Sequence, residues 1–254
     1  MRKDLVFNHF SKALDYLLEE DEVFSFLFQN PRDLTNSVFY KNFSVYFGAS
    51  RFCIVDNNYP FVVKVEYDEP FETFEDISSF CERELFFYER AQELNFDKYF
   101  TEVQYLGTYT KKVKTYSLSD FYDYYDYSEY DKNDFLSALE DMEKEGVLKK
   151  EIEISIPLYA YEKADCFVND SCYSSKEIDY YRSLKSPLSE ISAYIAANFI
   201  KDYGEEEFYE FSEFLKYYNI RDIHAGNVGF INGKIVIIDY ASYPKESGYE
   251  SDSY

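Results

Sequence analysis

The chain has 254 residues, enough for one bilobed domain or two small ones with a substantial core in either case. It carries 49 acidic and 26 basic side chains, for a formal net charge of -23. Such a surface repels nucleic acid and anionic membranes, so we expect neither as a direct partner. An alternative interpretation is that the acidity itself is the function, in that the chain mimics a polyanion and occupies a basic site on a partner.

The N-terminal 24 residues predict an amphipathic helix. Charged and apolar residues alternate there at helical spacing, without the apolar region and small-residue cleavage site of a secretory signal. No apolar run in the chain approaches the roughly 20 residues that a membrane-spanning helix needs. The four cysteines form no C-x-x-C pair and only two histidines are present, so we interpret the cysteines as reduced, mostly buried thiols. We therefore expect a cytoplasmic protein.

A five-stranded antiparallel sheet is predicted in the first two thirds of the chain. Its first three strands are β-branched and aromatic runs, interrupted by Gly48 and by the turn residues Asp56-Asn57-Asn58. A helix follows over Phe71–Leu94, where the hydrophobic period changes from two to about 3.6. The five strands are 43–47, 51–55, 61–67, 101–110 and 151–161.

An acidic, tyrosine-rich segment at about 111–150 separates the last two strands. We interpret it as an insertion on a hairpin, which ends in a short helix over Asp134–Glu145. Its first half is low in complexity, which is typical of a solvated loop or of a surface that binds a partner.

The C-terminal region predicts two helices within 186–219, broken at Tyr203-Gly204, and then a hairpin. Asn232-Gly233 is a strong hairpin signal because both residues tolerate the positive φ of a type I′ turn. A turn there pairs Ile231 with Lys234 and places Asn227 opposite Ile238. The side chains of Asn227 and Asp239 then emerge together at the open end of the hairpin.

An amide oxygen and a carboxylate at one point make a hard-oxygen site that suits Mg²⁺. Asp222 lies five residues before Asn227, near enough to accept a proton from a hydroxyl group at the same site. His224 is interpreted as orienting this loop through a hydrogen bond to the backbone or to Asp239. The plain alternative is a hairpin with polar residues at its mouth.

The sequence "RDIHAGN" followed by "VIIDYA" resembles the catalytic and metal-binding loops of the protein-kinase-like superfamily. It is most similar to the D-x-H-x-G-N form of aminoglycoside and choline phosphotransferases and of small kinase-like proteins of bacteriophages. The resemblance implies that Asp222 is a general base and that Asn227 and Asp239 bind Mg²⁺. It covers roughly residues 40–240, and it departs from protein kinases in having Tyr240-Ala241 in place of Phe-Gly.

The resemblance also implies an ATP site in an N-terminal lobe. Lys64, in the third predicted strand, would contact the α- and β-phosphates and pair with a glutamate of the following helix. We expect that glutamate to be Glu84, since it shares the apolar helix face and a carboxylate there needs a cationic partner, whereas Glu82 is on the polar side. The loop of Gly48 and Ser50 would cover the phosphates with one glycine where protein kinases have three.

Together these observations predict an α+β, protein-kinase-like bilobed fold. It would comprise an N-terminal helical extension (1–36), an N-lobe (37–165) and a truncated helical C-lobe (166–254), which leaves no platform for a peptide substrate. The expected function is an ATP- and Mg²⁺-dependent phosphotransferase acting on a small-molecule or protein acceptor. The alternative is a phage-type pseudokinase that docks on a basic host protein, in the host cytoplasm, without catalysis.

Overall fold

The protein is α+β, and it divides into two compact units. The computed structural model describes residues 2–20, 38–40, 43–47, 50–66, 77, 79–117, 120, 123–124, 132–168 and 173–241. The first unit comprises Met1–Asp68 and Tyr105–Ala160, and the second comprises Glu69–Gln104 and Tyr161–Tyr254. The helix predicted over residues 71–94 is present over Phe80–Glu93, in the second unit.

The first unit is built on a sheet with the strand order β1-β2-β3-β4-β6-β5. All five predicted strands are present, and a sixth, the short β1, pairs antiparallel with β2 at the edge. A run of three residues is too brief to stand out as a strand signal. The strands are β1 (Val38–Tyr40), β2 (Phe43–Phe47), β3 (Arg51–Asp56), β4 (Phe61–Glu66), β5 (Val103–Thr115) and β6 (Lys150–Glu162).

The connection between β5 and β6 is shorter than the predicted insertion of 111–150. Strand β5 continues to Thr115, so residues 111–115 belong to the sheet and the connection begins after them. The predicted short helix is confirmed as α3 (Lys132–Lys144). The Tyr/Asp-rich half of the segment lies largely outside the described residues.

Helix α1 (Lys3–Glu20) contributes to the core of the first unit rather than standing apart as an extension. Its Phe10 and Leu14 are fully buried, in one hydrophobic cluster with Ile54 and Leu158 from the sheet. Each such side chain contributes roughly 1.5–3 kcal/mol by leaving water. Its amphipathic spacing is therefore what allows this helix to cover the sheet.

The second unit contains the remaining helices and a small three-stranded sheet. The two predicted helices of 186–219 are confirmed, and they meet at Gly204, whose φ of 100° favours glycine. None of the described helices has both the length and the apolar composition needed to cross a bilayer. The elements are α2 (Phe80–Glu93), a 3₁₀ turn (Asp97–Tyr99), α4 (Ser175–Ser183), α5 (Pro187–Glu190), α6 (Ala193–Tyr203), α7 (Glu205–Tyr217), β7 (Asp165–Cys166), β8 (Val228–Ile231) and β9 (Lys234–Ile237).

The core of the second unit is aromatic. Phe199 and Phe211 stack with ring centroids 5.4 Å apart and planes within 9°, and Tyr99 packs against both at 4.9 and 4.6 Å. Phe100 joins Phe211 at 5.3 Å in an edge-on arrangement. This cluster accounts for part of the aromatic content of 21 %, and offset or edge-on ring pairs add to the free energy gained by burial.

Three cysteines are described, and all three are present as thiols. Cys81 is buried, Cys53 is half-buried and Cys166 is exposed, so the expectation of mostly buried thiols holds fully only for the first of them. Cys172 lies outside the described residues.

Candidate functional site

The predicted hairpin is formed by β8 and β9 in the predicted register. Ile231 pairs with Lys234 and Val228 with Ile237. The turn residues Asn232 and Gly233 have φ angles of 53° and 76°, as a type I′ turn requires. The local signal was sufficient here because the two turn residues determine the pairing of everything that follows.

A glycine within the hairpin allows a third strand to approach. Gly229 pairs with Cys166 of β7, and a Cβ at Gly229 would lie 2.6 Å from the carbonyl oxygen of Asp165. That separation is well inside van der Waals contact, so any larger residue would push β7 away from β8.

The hairpin is anchored through its second strand. The Asp202 carboxylate accepts a hydrogen bond from the backbone N–H of Ile235 at 2.8 Å, and the Tyr203 hydroxyl donates to the Ile235 carbonyl at 2.9 Å. The backbone N–H of Thr101 donates to the Ile237 carbonyl at 3.0 Å. Helix α6 therefore holds both backbone groups of Ile235 near the turn, while Thr101 holds Ile237 near the mouth.

The residues at the mouth are connected by hydrogen bonds. The Asn227 side-chain amide donates to the Asp222 carbonyl oxygen at 2.8 Å and to the Asp222 carboxylate at 3.3 Å. The Asn227 carbonyl accepts from the backbone N–H of Ile238 at 2.9 Å and of Asp239 at 3.4 Å. The structure therefore brings Asp222 and Asn227 together, and it joins the backbone of Asp239 to that of Asn227.

His224 shapes the loop between Asp222 and Asn227. Its Nδ1 accepts a hydrogen bond from the backbone N–H of Gly226 at 3.0 Å, and its Nε2 lies 3.9 Å from the Asp222 carboxylate. A Cβ at Gly226 would lie 2.9 Å from the imidazole ring. The prediction that His224 orients the loop through the backbone is confirmed.

Glu84 is fully buried, whereas Glu82 is exposed, as the helical pattern predicted. Its carboxylate accepts a hydrogen bond from the Tyr161 hydroxyl at 2.5 Å and another from the backbone N–H of Tyr240 at 2.9 Å. Tyr240 is also held at its hydroxyl, which donates to the Thr101 carbonyl at 3.0 Å. The Glu84 carboxylate therefore fixes the backbone directly after Asp239, a contact that the predicted pairing of Glu84 with Lys64 did not include.

The other predicted nucleotide contacts lie in the first unit. Lys64 is only 7 % exposed, in β4 opposite Cys53 of β3. Ser50 is half-buried just before β3, and Gly48 lies outside the described residues. The ion pair between Lys64 and Glu84 stays a prediction.

The donor chemistry at the hairpin mouth fits Mg²⁺. Because the Asn227 amide nitrogen is engaged with Asp222, the amide oxygen is the side-chain atom that would face a cation. The described residues hold no cluster of three or more His, Cys, Asp or Glu side chains suited to a metal ion. A Mg²⁺ site does not require such a cluster, since this ion keeps several water ligands and binds phosphate oxygens.

The turn end of the same hairpin borders a cavity of about 470 Å³ with an acidic lining. Carboxylates outnumber the two lysines there, and the pKa of Glu162 is raised by burial and by the nearby charge of Glu102. Burial and the same two carboxylates, with Asp97, raise the pKa of Tyr88 to about 12. The acidic lining residues are Asp97, Glu102, Glu162, Asp202 and Glu207.

Sequence reasoning missed two features of this unit. One is the hydrogen bond from the Tyr161 hydroxyl to Glu84, since Tyr161 was predicted only as part of a strand. The other is the acidic lining, whose residues come from three separate regions of the chain. No local pattern marks either one, because both depend on residues far apart in sequence.

Comparison with known proteins adds no family to this geometry. No protein-family model matches the chain, and no curated protein matches it in sequence.

Proposed function

We propose that the chain is an ATP- and Mg²⁺-dependent phosphotransferase of protein-kinase-like fold. The observation that carries this proposal is the double hydrogen bond from the Asn227 amide to the backbone and carboxylate of Asp222. It orients a candidate base and a candidate metal ligand together, which a hairpin with incidental polar residues does not require.

Asp222 takes the role of general base. Its Oδ2 accepts from Asn227, which fixes the carboxylate and leaves Oδ1 on the side of His224. Asp222 would accept the proton of an acceptor hydroxyl as the new O–P bond forms and the bond from the γ-phosphorus to the leaving oxygen of ADP breaks. Catalysis of this kind depends on position and charge rather than on a covalent intermediate.

Asn227 and Asp239 are the residues that would hold Mg²⁺. Bound Mg-ATP supplies the phosphoryl group and the cation that neutralises charge on its phosphates. Glu84 contributes by holding the backbone N–H of Tyr240, which keeps Asp239 at the mouth. Lys64, with the loop of Gly48 and Ser50, keeps its proposed role in contacting phosphates.

The assignment of Asp222 is tested by replacing it with asparagine, which keeps the shape and removes the base. We expect the rate of ADP production from Mg-ATP, with water as the acceptor, to fall by roughly 10²–10⁴ while ATP affinity is retained. Asp141→Asn, on the exposed face of α3, is the matched control. Unchanged turnover in an Asp222→Asn protein that still binds ATP would show that Asp222 is not the base.

The second candidate function is docking on a basic host protein without catalysis. The acidic cavity at the turn end of the hairpin favours it, because a cationic side chain there would neutralise the crowded carboxylates of Glu102 and Glu162. The Tyr/Asp-rich segment of residues 119–131 is a further candidate surface.

A pull-down from host extract separates the two candidates. Docking predicts a basic partner that is retained at low salt, released at high salt, and lost with Glu102→Gln/Glu162→Gln or with deletion of residues 119–131. A set of captured proteins that none of these changes alters would exclude docking through either surface.

A further inference from the structure

The second unit contains a basic cavity, which is unexpected in a chain of net charge -23. The cavity has a volume of about 360 Å³ and shares no lining residue with the hairpin mouth or with the acidic cavity. Four cationic side chains line it against one carboxylate, that of Glu190. The cations are Arg182, Lys185, Lys216 and Arg221.

These cations are brought together from three parts of the fold. Arg182 lies in the last turn of α4 and Lys216 in the last turn of α7, while Arg221 precedes the catalytic loop. The ion pairs of these cations are exposed to solvent. Arg182 and Lys216 pair with residues three positions away, Asp179 at 3.4 Å and Glu213 at 2.8 Å, and Arg221 is 4.0 Å from Glu190. Exposed pairs of this kind contribute about 0–1 kcal/mol, so a stronger anion can displace them.

Lys185 is held in a conformation that its side chain disfavours. It follows the C-cap of α4 with a φ of 50°, a position where glycine or asparagine is normally found. The cation that complements the helix dipole is already supplied by Arg182 in the last turn. Lysine at this position is therefore unfavourable for the backbone, and the helix end does not require its charge. What the lysine contributes is one more positive charge on the cavity wall.

The floor of the cavity contains buried serines that are hydrogen-bonded to their neighbours. The Ser186 hydroxyl lies 2.6 Å from the Ser212 hydroxyl and accepts from the backbone N–H of Leu188 at 3.1 Å. The Ser189 hydroxyl donates to the Ser186 carbonyl at 3.0 Å. Because the floor groups are engaged with one another, recognition of a ligand falls to the cationic walls.

We propose that this cavity binds a phosphate-bearing small molecule. Two guanidinium groups and two ammonium groups match the several oxygens and double charge of a phosphate better than a single carboxylate. The volume lies at the lower end of the range for small-molecule sites. A nucleic acid is disfavoured because the surrounding surface of this chain is strongly acidic.

The site does not depend on the proposed phosphotransferase activity. Arg221 is bonded directly to Asp222 in the chain, so a ligand here would lie beside the catalytic loop. Binding itself, however, requires neither ATP nor Mg²⁺, and it can be measured in their absence.

The test is calorimetric titration of the full chain with inorganic pyrophosphate at fixed ionic strength, without divalent cations. Lys185→Asn removes one charge and suits the left-handed backbone, so the variant is expected to fold. We expect it to weaken pyrophosphate binding roughly tenfold, as loss of one charge-assisted hydrogen bond implies. Lys144→Asn, on the exposed face of α3, is expected to leave the affinity unchanged. Lys64→Met reports on pyrophosphate binding at the proposed nucleotide site.

The absence of pyrophosphate binding to the wild type would overturn the proposal. Equal weakening by Lys185→Asn and Lys144→Asn would overturn it too, because it would mean nonspecific attraction. Loss of binding in Lys64→Met alone would place the ligand at the nucleotide site instead, and binding of RNA in place of pyrophosphate would assign the cavity to a nucleic acid. Failure of the phosphotransferase proposal alone would leave the Lys185-dependent affinity intact.

Discussion

The two ends of the β8–β9 hairpin place acidic groups in different surroundings. At the mouth, hydrogen bonds connect Asp222 to Asn227 and fix the backbone around Asp239. At the turn end, Glu102 and Glu162 lie close enough for the charge of one to raise the pKa of the other. The mouth is ordered around a few polar groups, whereas the turn end concentrates like charges.

This difference predicts opposite responses to substitution. Removing a polar group from the mouth leaves its donors unsatisfied, which costs stability. Removing the Glu162 carboxylate from the turn end relieves its repulsion by Glu102, which increases stability. Like charges that repel one another are tolerated at a surface or neutralised by a binding partner. Buried polar groups with hydrogen-bond partners instead keep the surrounding backbone in one geometry.

The largest effect is expected from Glu84→Ala. The substitution removes the acceptor for the Tyr161 hydroxyl and the Tyr240 N–H and leaves a cavity, at a cost of roughly 3–5 kcal/mol in the free energy of unfolding. Urea denaturation measures it, with exposed Glu82→Ala as the control from the same helix. Equal stability of the two variants would mean that the buried carboxylate does not hold the mouth.

A smaller loss is expected from Gly229→Ala. Its Cβ would meet the backbone oxygen of Asp165 at 2.6 Å, and backbone cannot move aside without displacing β7, so we expect a cost of about 1–3 kcal/mol. Gly226→Ala should cost less, because its Cβ meets the His224 ring, which can rotate away. Thermal unfolding of both variants tests the order, and the reverse order would contradict the described packing of β7 on β8.

The smallest effect, of opposite sign, is expected from Glu162→Gln. Burial and the charge of Glu102 raise the pKa of Glu162, so the ionised form destabilises the fold. This penalty is absent below the usual glutamate pKa of about 4.3 and fully present above the raised pKa of the folded state. The variant should therefore melt above the wild type at pH 7 and at the same temperature near pH 4.

A lower melting temperature for Glu162→Gln at pH 7 would contradict the picture of crowded charges. Glu151→Gln, on exposed β6, is a suitable control because its carboxylate has a lysine partner. It should show no such gain.

Local signals in the sequence predicted the elements that local chemistry determines. Asn232-Gly233 fixed the hairpin register, and the helical period separated buried Glu84 from exposed Glu82. The break at Gly204 followed from its tolerance of positive φ. Each of these depends on residues within one turn or one helix.

The remaining features depend on contacts between distant residues. Two partners of Glu84, Tyr161 and Tyr240, lie 77 and 156 positions away, beyond the reach of helical periodicity. The basic cavity gathers cations from α4, α7 and the loop before Asp222, within a strongly acidic composition that conceals it. The edge strand β1 was missed because three residues carry too little pattern.

The central claim is that the hairpin mouth binds Mg-ATP. The most direct test is to measure the melting temperatures of the wild type and of Asp239→Asn with and without ATP plus Mg²⁺. Binding to the folded state raises the melting temperature by mass action. We predict a shift for the wild type that requires Mg²⁺ and that Asp239→Asn abolishes. No shift for the wild type, or an equal shift for both proteins, would contradict a nucleotide site at this mouth.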